Sequence, residues 1–295
     1  MSLATRSSFT GRPAPRATAP SALRATARPA IALLAVAFTA ACGPAATDVP
    51  PATDVPVVTE APTPTEAPTV DTTAAYCDAY LEVLGIFLTS PLADDPDSMP
   101  TDPEEVKAAA RTLADGIAKL RDNAPEDLAA LIAKAAAPVE AAAENGDIKA
   151  YQRDSDVISE AEDPIDFYAF DHCGWNQVEV TASDKAFTGI PASLPAGKTA
   201  FKVTSASEAM HVMLITRRKP GVTASASAIL DKGDNIFETD LDLVAAVGIE
   251  PGGAGGTAAD LTPGGYIVLD PLPIGEGEDS PQNFQLGMFG EFTVK

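Results

Sequence analysis

The hydrophobic period of this chain changes once, at Trp175, and that switch limits what it can fold into. Upstream, apolar residues recur every three or four positions, as on one face of a helix; downstream they alternate, as along a half-buried strand. Tyr76, Tyr80, Val83, Leu84 and Phe87 predict a helix over 73–88. Thr101 or Asp102 caps a second helix with Pro103 in its first turn and a stripe of Val106, Ala109, Ala110, Leu113, Ile117 and Leu120. Leu128, Leu131, Ile132, Ala135 and Val139 mark a third, which Asn145-Gly146 ends. A fourth helical stretch covers 148–160 and a short one covers 165–170, so residues 73–174 read as a small helical bundle.

Beyond Trp175, the pairs Val178 and Val180, Phe201 and Val203, Ile267 and Leu269, and Phe292 and Val294 alternate with polar neighbours, and His211, Met213 and Ile215 share one strand face. Turn signals such as Gly189-Ile-Pro191, Pro195-Ala-Gly197 and Pro263-Gly-Gly265 punctuate them at short intervals. Residues 175–295 therefore read as an all-β sandwich, and the folded chain as an α + β multidomain protein.

The first 41 residues hold five Arg and no acid, then an apolar run from Ala30 to Phe38 that is too short to span a bilayer. Thr39, Ala40 and Ala41 lead to Cys42. This is the build of a signal peptide over 1–41. Small residues directly before a Cys resemble a bacterial lipobox, which implies lipidation of Cys42 and anchoring to the cell membrane from outside the cytoplasm; Thr39 departs from the usual aliphatic residue. The alternative is an ordinary secretory signal with a bystander Cys. Residues 42–72 read as a disordered, Thr/Pro-rich tether: Ala46-Thr-Asp-Val-Pro50 recurs at Ala52–Pro56, and Thr59-Glu-Ala-Pro-Thr63 at Thr65–Thr69. Without the first 41 residues, 15 basic residues face 42 acidic ones, a surface that repels nucleic acid. Setting Cys42 aside leaves Cys77 and Cys173, an even pair that an oxidising compartment joins as a disulfide; two free thiols are the alternative.

The residues offer little to an enzyme. No Gly-x-Ser-x-Gly occurs, and His172 and His211 are the only imidazoles. His172 beside Cys173 could suggest a thiol nucleophile, but that Cys has a partner in Cys77. The acidic groups Asp94, Asp95 and Asp97, Asp231 and Asp234, and Glu238, Asp240 and Asp242 lack calcium-loop spacing and read as solvated surface. Gly252-Gly-Ala-Gly-Gly256 lacks the Lys-Ser or Lys-Thr of a phosphate loop.

One order of residues carries a resemblance. Asp184-Lys-Ala-Phe187-Thr-Gly189-Ile-Pro191 leads through Leu194-Pro-Ala-Gly197 and Phe201 to His211, then to Asp260-Leu-Thr-Pro-Gly264-Gly-Tyr266 and to Gly287-Met288 before Glu291-Phe-Thr-Val294. Residues 175–295 thereby resemble the cupredoxin-like, Greek-key domains of bacterial envelope lipoproteins. In copper-binding members the metal takes His, Cys, His and a weak Met. The resemblance places His211 at the first His position and Met288 at the Met position, with Asp270 where the Cys is expected and Asn283 in place of the second His. It implies a domain without bound cofactor and without a blue copper centre. The expectation is a non-catalytic extracytoplasmic lipoprotein that binds an envelope protein or ligand. The alternative is a copper-binding or electron-transfer protein working through a degenerate site, for which Met210 and Met213 beside His211 are further candidates.

Overall fold

Three helices form where their apolar spacing predicts: α1 (Thr72–Thr89), α2 (Pro103–Asp122) and α3 (Glu126–Asn145). The structure is a computed structural model that describes residues 72–93, 99–154, 156–274 and 280–295. Cys42, the segments on either side of it, and Asp94, Asp95 and Asp97 lie outside the described residues, as does the side chain of Asp234. Asp102 caps α2 by accepting from the Glu104 N–H at 2.8 Å, while Pro103 sits where a helix needs no donor. Gly146 ends α3 at φ 72°, and a Cβ there would lie 2.5 Å from the Pro103 carbonyl oxygen.

The next helices differ from the sequence reading. A short α4 (Ile148–Arg153) is followed by a long α5 (Asp156–His172) that runs through Pro164. The break expected before residue 165 falls instead near Asp154. Proline removes one backbone donor from a helix, but tertiary packing overrides that local cost here: Ala161, Ala169 and Phe170 of α5 are buried. Val106, Ala110 and Leu113 of α2 close a core with Val139 and Ala142 of α3 and Tyr151 of α4.

Nine strands follow: β1 (Asn176–Ala182), β2 (Phe187–Thr188), β3 (Ser193–Leu194), β4 (Gly197–Ser205), β5 (His211–Arg218), β6 (Leu241–Ile249), β7 (Ala254–Leu261), β8 (Gly264–Leu269) and β9 (Phe289–Val294). They form two mixed sheets, ordered β2-β1-β4-β7 and β3-β9-β8-β5-β6. β1 runs parallel to β4 and β3 parallel to β9; the other pairs are antiparallel. Inward-facing Val178, Val180, Phe201, Val203, Met213, Ile215 and Phe292 fill the space between the sheets, as strand alternation requires.

Both outer faces are also covered. Between β5 and β6, α6 (Ala226–Leu230) and α7 (Ile236–Thr239) place Ile229, Leu230 and Ile236 against Ile267 and Leu269 of β8. Asp240, at the end of α7, departs from the expectation of a solvated acid: it is buried, and Lys232 Nζ donates to both its oxygens at 2.7 Å. On the opposite side, α1 and α5 lie on β4 and β7, burying Tyr76, Tyr80 and Phe170 against Ala200 and Ala258. The outward positions of β7 are Gly256 and Ala258, and small residues are what let a helix approach a sheet this closely. A Cβ at Gly256 would fall 2.5 Å from the Asp166 Cβ of α5, and one at Gly255 would fall 2.4 Å from the Gly248 carbonyl oxygen of β6. The glycine-rich run thus serves helix–strand and strand–strand contact. Cys77 of α1 and Cys173, just after α5, form a disulfide across 96 residues.

Candidate functional site

Strand register brings His211, Asp270, Asn283 and Met288 to one pole of the sandwich. Leu214 of β5 pairs with Leu269 of β8, so His211 at the start of β5 lies beside the residue that follows β8, Asp270. Leu269 also pairs with Phe289, so Met288, just before β9, reaches the same place. Asn283 opens a single 3₁₀ turn, Asn283–Leu286, in the connection between β8 and β9. Backbone bonds lace these residues: Asp270 N–H donates to the Met288 carbonyl, Phe284 N–H to the Asp270 carbonyl and Met288 N–H to the Asn283 carbonyl.

The side chains engage one another. Asp270 Oδ2 lies 2.7 Å from His211 Nδ1 and accepts from Asn283 Nδ2 at 2.9 Å, while Oδ1 accepts from the Leu272 N–H at 2.9 Å. All four residues are buried, Asp270 completely. Burial pushes the Asp270 carboxyl above its usual range, against the opposing pull of the Leu272 N–H, His211 and the Val212 N–H. His211 Nε2 has no hydrogen-bond partner among the described residues. Met288 packs in the sandwich core with Met213, whereas Met210 is exposed, so the three methionines do not converge.

These donors do not fit a type 1 copper centre. Such a centre needs a thiolate and two imidazole nitrogens around the metal. Here the Asp270 carboxylate holds the His211 Nδ1, and the Asn283 amide donates to that same carboxylate, so the group offers one imidazole and no thiolate. Both described cysteines are joined to each other, next to α1 and α5 and away from this pole. Among the described residues no three His, Cys, Asp or Glu side chains converge into a metal-ligating group.

No protein-family model matches the chain, and no curated protein matches it. Solved structures do resemble part of it. A dithionite-reduced auracyanin from Roseiflexus castenholzii is 18% identical and aligns over 41% of this chain and 97% of its own, with a TM-score of 0.28. Auracyanin A from Chloroflexus aurantiacus, described as a blue copper protein, is 15% identical over 41% of this chain and all of its own, at 0.26. Rusticyanin from Thiobacillus ferrooxidans is 18% identical over 41% and 78%, at 0.25.

A second site was not visible in the sequence. Between the helices and the corner where β6 meets β7 lies a cavity of about 270 Å³. Its walls are mostly apolar, with Leu84 of α1, Ile117 of α2, Ile132 of α3 and Ile158 of α5, and its floor includes Gly248 and Gly256. Three acids of α5, Glu162, Asp163 and Asp166, also line it. Tyr80 OH donates to Asp166 Oδ1 at 2.7 Å, and burial together with the neighbouring carboxylates raises Asp166 well above the usual carboxylate range. Burial, then Asp163, also raises Glu162, which is crowded by protein although its side chain remains exposed. A larger depression of about 420 Å³ beside β9 is open and polar, and the Arg218–Glu291 ion pair within it satisfies its charges internally. No sequence signal marks the acidic wall, because the predicted helical stretches stop at 160 and resume at 165, leaving Glu162 and Asp163 between them.

Proposed function

We propose that this chain is a non-catalytic, extracytoplasmic lipoprotein. Its β part is a cupredoxin-like, Greek-key sandwich without copper, and its folded part serves as a binding module at the cell envelope. The observation that carries the reading is the network at the pole, where Asp270 takes up both the His211 Nδ1 and the Asn283 amide. Donors and acceptors that engage one another stabilise a scaffold, and a His211 Nδ1 held by Asp270 is not free to bind a metal. The oxidised Cys77–Cys173 pair supports an exported location. No helix among the described residues is long and apolar enough to cross a membrane, and lipid on Cys42 would supply the attachment.

Copper handling is the second reading. One observation favours it: His211 Nε2 is a buried nitrogen without a partner among the described residues. Titration of the full chain with Cu(II) and Cu(I) separates the two readings. The metal-free reading expects no intense blue absorption and no tight stoichiometric uptake. A blue band, or tight copper lost on His211→Ala, would promote the copper reading. For the anchor, Cys42→Ser should release the protein from the membrane fraction; a variant that stays membrane-bound, with no fatty acid incorporated by the wild type, removes it.

A further inference from the structure

The helix–sheet cavity has a mixed character that narrows what it can hold. Its volume, set against the 150 Å³ that accommodates benzene, suits a body of roughly ten non-hydrogen atoms. Its apolar walls favour a hydrocarbon surface, since each buried CH₂ contributes about 0.8 kcal/mol. Its polar end carries one sign only: three carboxyl groups line it and, among the described residues, no Lys, Arg or His does. Tyr80 engages Asp166 Oδ1, and no basic side chain among the described residues lines the cavity to pair with Asp166 or Glu162. Three aromatic rings, whose faces attract cations, also line it: Tyr80, Phe87 and Tyr151.

Each alternative occupant meets a physical objection. A carboxylate or phosphate ligand would face three acids without a counter-charge. A wholly apolar ligand would take water from the Asp166 carboxyl and give it no donor in exchange, a costly arrangement. An ammonium group supplies both the charge and the donors that this end lacks, through charge-assisted hydrogen bonds.

We propose that this cavity is a binding site for a small organic cation, an ammonium group carried on an apolar body, held by Glu162 and Asp166. The proposal deepens the binding-module reading and rests on it. The ammonium donates to Asp166 Oδ2 and to Glu162, Tyr80 keeps Asp166 oriented, and the body lies among Leu84, Ile117 and Ile158. Glu162, with accessible surface, is placed to meet the charge first, and Asp166 lies deeper.

The test uses the full chain in detergent and three probes of nearly equal size: 2-phenylethylammonium, 2-phenylethanol and phenylacetate. Binding is read by calorimetry and by the fluorescence of the single tryptophan, Trp175, whose ring lies 6.2 Å from that of Tyr80. The ammonium should bind roughly tenfold or more tighter than the alcohol, with no binding of the anion. Glu162→Gln and Asp166→Asn, which keep the side-chain shapes, should each weaken the ammonium about tenfold and the alcohol far less. Equal affinity for ammonium and alcohol, or ammonium binding untouched by both variants, overturns the cation assignment. No binding of any probe, with both variants and the wild type showing the same circular dichroism, overturns the cavity as a ligand site. Either failure leaves the metal-free reading standing, because that reading falls only to copper uptake.

Discussion

Asp270 is the residue on which the pole of the sandwich turns. Its carboxyl accepts from Leu272 N–H and Asn283 Nδ2 and meets His211 Nδ1, all within 2.9 Å, in a place with no solvent access. Removing it strands several buried groups at once, and losing one member of such a set typically costs about 3–5 kcal/mol. Asp270→Ala should therefore lower unfolding stability in urea by about that amount. Asp270→Asn, whose carboxamide oxygen still accepts, should cost clearly less. An alanine variant within about 1 kcal/mol of wild type would remove the network from the structure's stabilising contacts. The sequence singles out these four positions only through their resemblance to a cupredoxin-like ligand set. Their mutual engagement was not legible there: a lone His on an apolar strand gives no sign of its partner, and Asp270 and Asn283 lie 59 and 13 residues from the groups they meet.

At the scale of elements, the sequence reads well where local signals and packing agree. The Asp102 cap and Gly146 terminus of the second and third helices are such places. It reads poorly where packing overrides a local breaker, as at Pro164, and so the acidic face of α5 was invisible as a site. That face makes a pH argument. Asp166 is half-buried under Tyr80 of α1, against Gly256 of β7, with Glu162 and Asp163 on its own helix and, among the described residues, no basic one lining the cavity. Burial, then the neighbouring carboxylates, raise it, while the Tyr80 hydroxyl opposes the shift. A carboxyl raised in the folded state holds its proton more tightly than in the unfolded chain. Its contribution to stability is thus full below the unfolded value, near pH ~3.9, and is lost as pH rises toward the folded value. Paired acids such as Asp240, lowered chiefly by Lys232, act in the opposite sense, so the difference between wild type and variant is the quantity to measure. Asp166→Asn should be increasingly stabilising relative to wild type from pH ~4 toward neutrality, by at most about 1.4 kcal/mol per pH unit. A difference that does not change across that range would mean Asp166 is not held protonated.

The whole molecule behaves as more than a bundle followed by a sandwich. Residues Val70–Lys295 make one compact unit, and one apolar cluster joins α1 and α5 to β4 and β7 through Tyr76, Tyr80, Phe170, Ala200 and Ala258. Charged contacts reinforce the same seam. Lys198 of β4 pairs with Asp78 of α1 at 2.5 Å, and Lys202 lies over the Phe167 and Phe170 rings of α5. The period switch at Trp175 separates helices from strands, but it gives no sign of the face they share, because Ala200, Gly256 and Ala258 are too small to announce burial. The Cys77–Cys173 disulfide lies at this seam, tying the first helix to the point where the helical layer hands over to the first strand. Closing a loop of 96 residues restricts the unfolded chain far more than the folded one, which on the chain-entropy account stabilises by about 4–5 kcal/mol, and native disulfides measured by removal typically give about 2–5. The double variant Cys77→Ser, Cys173→Ser should lose stability in that range. Because the cluster belongs to helices and sheets together, helical circular dichroism and Trp175 fluorescence should still report one coincident transition. Two separated transitions in the wild type would show that the helical layer folds apart from the sandwich. A loss of under about 1 kcal/mol would show that the loop it closes is already restricted in the unfolded chain.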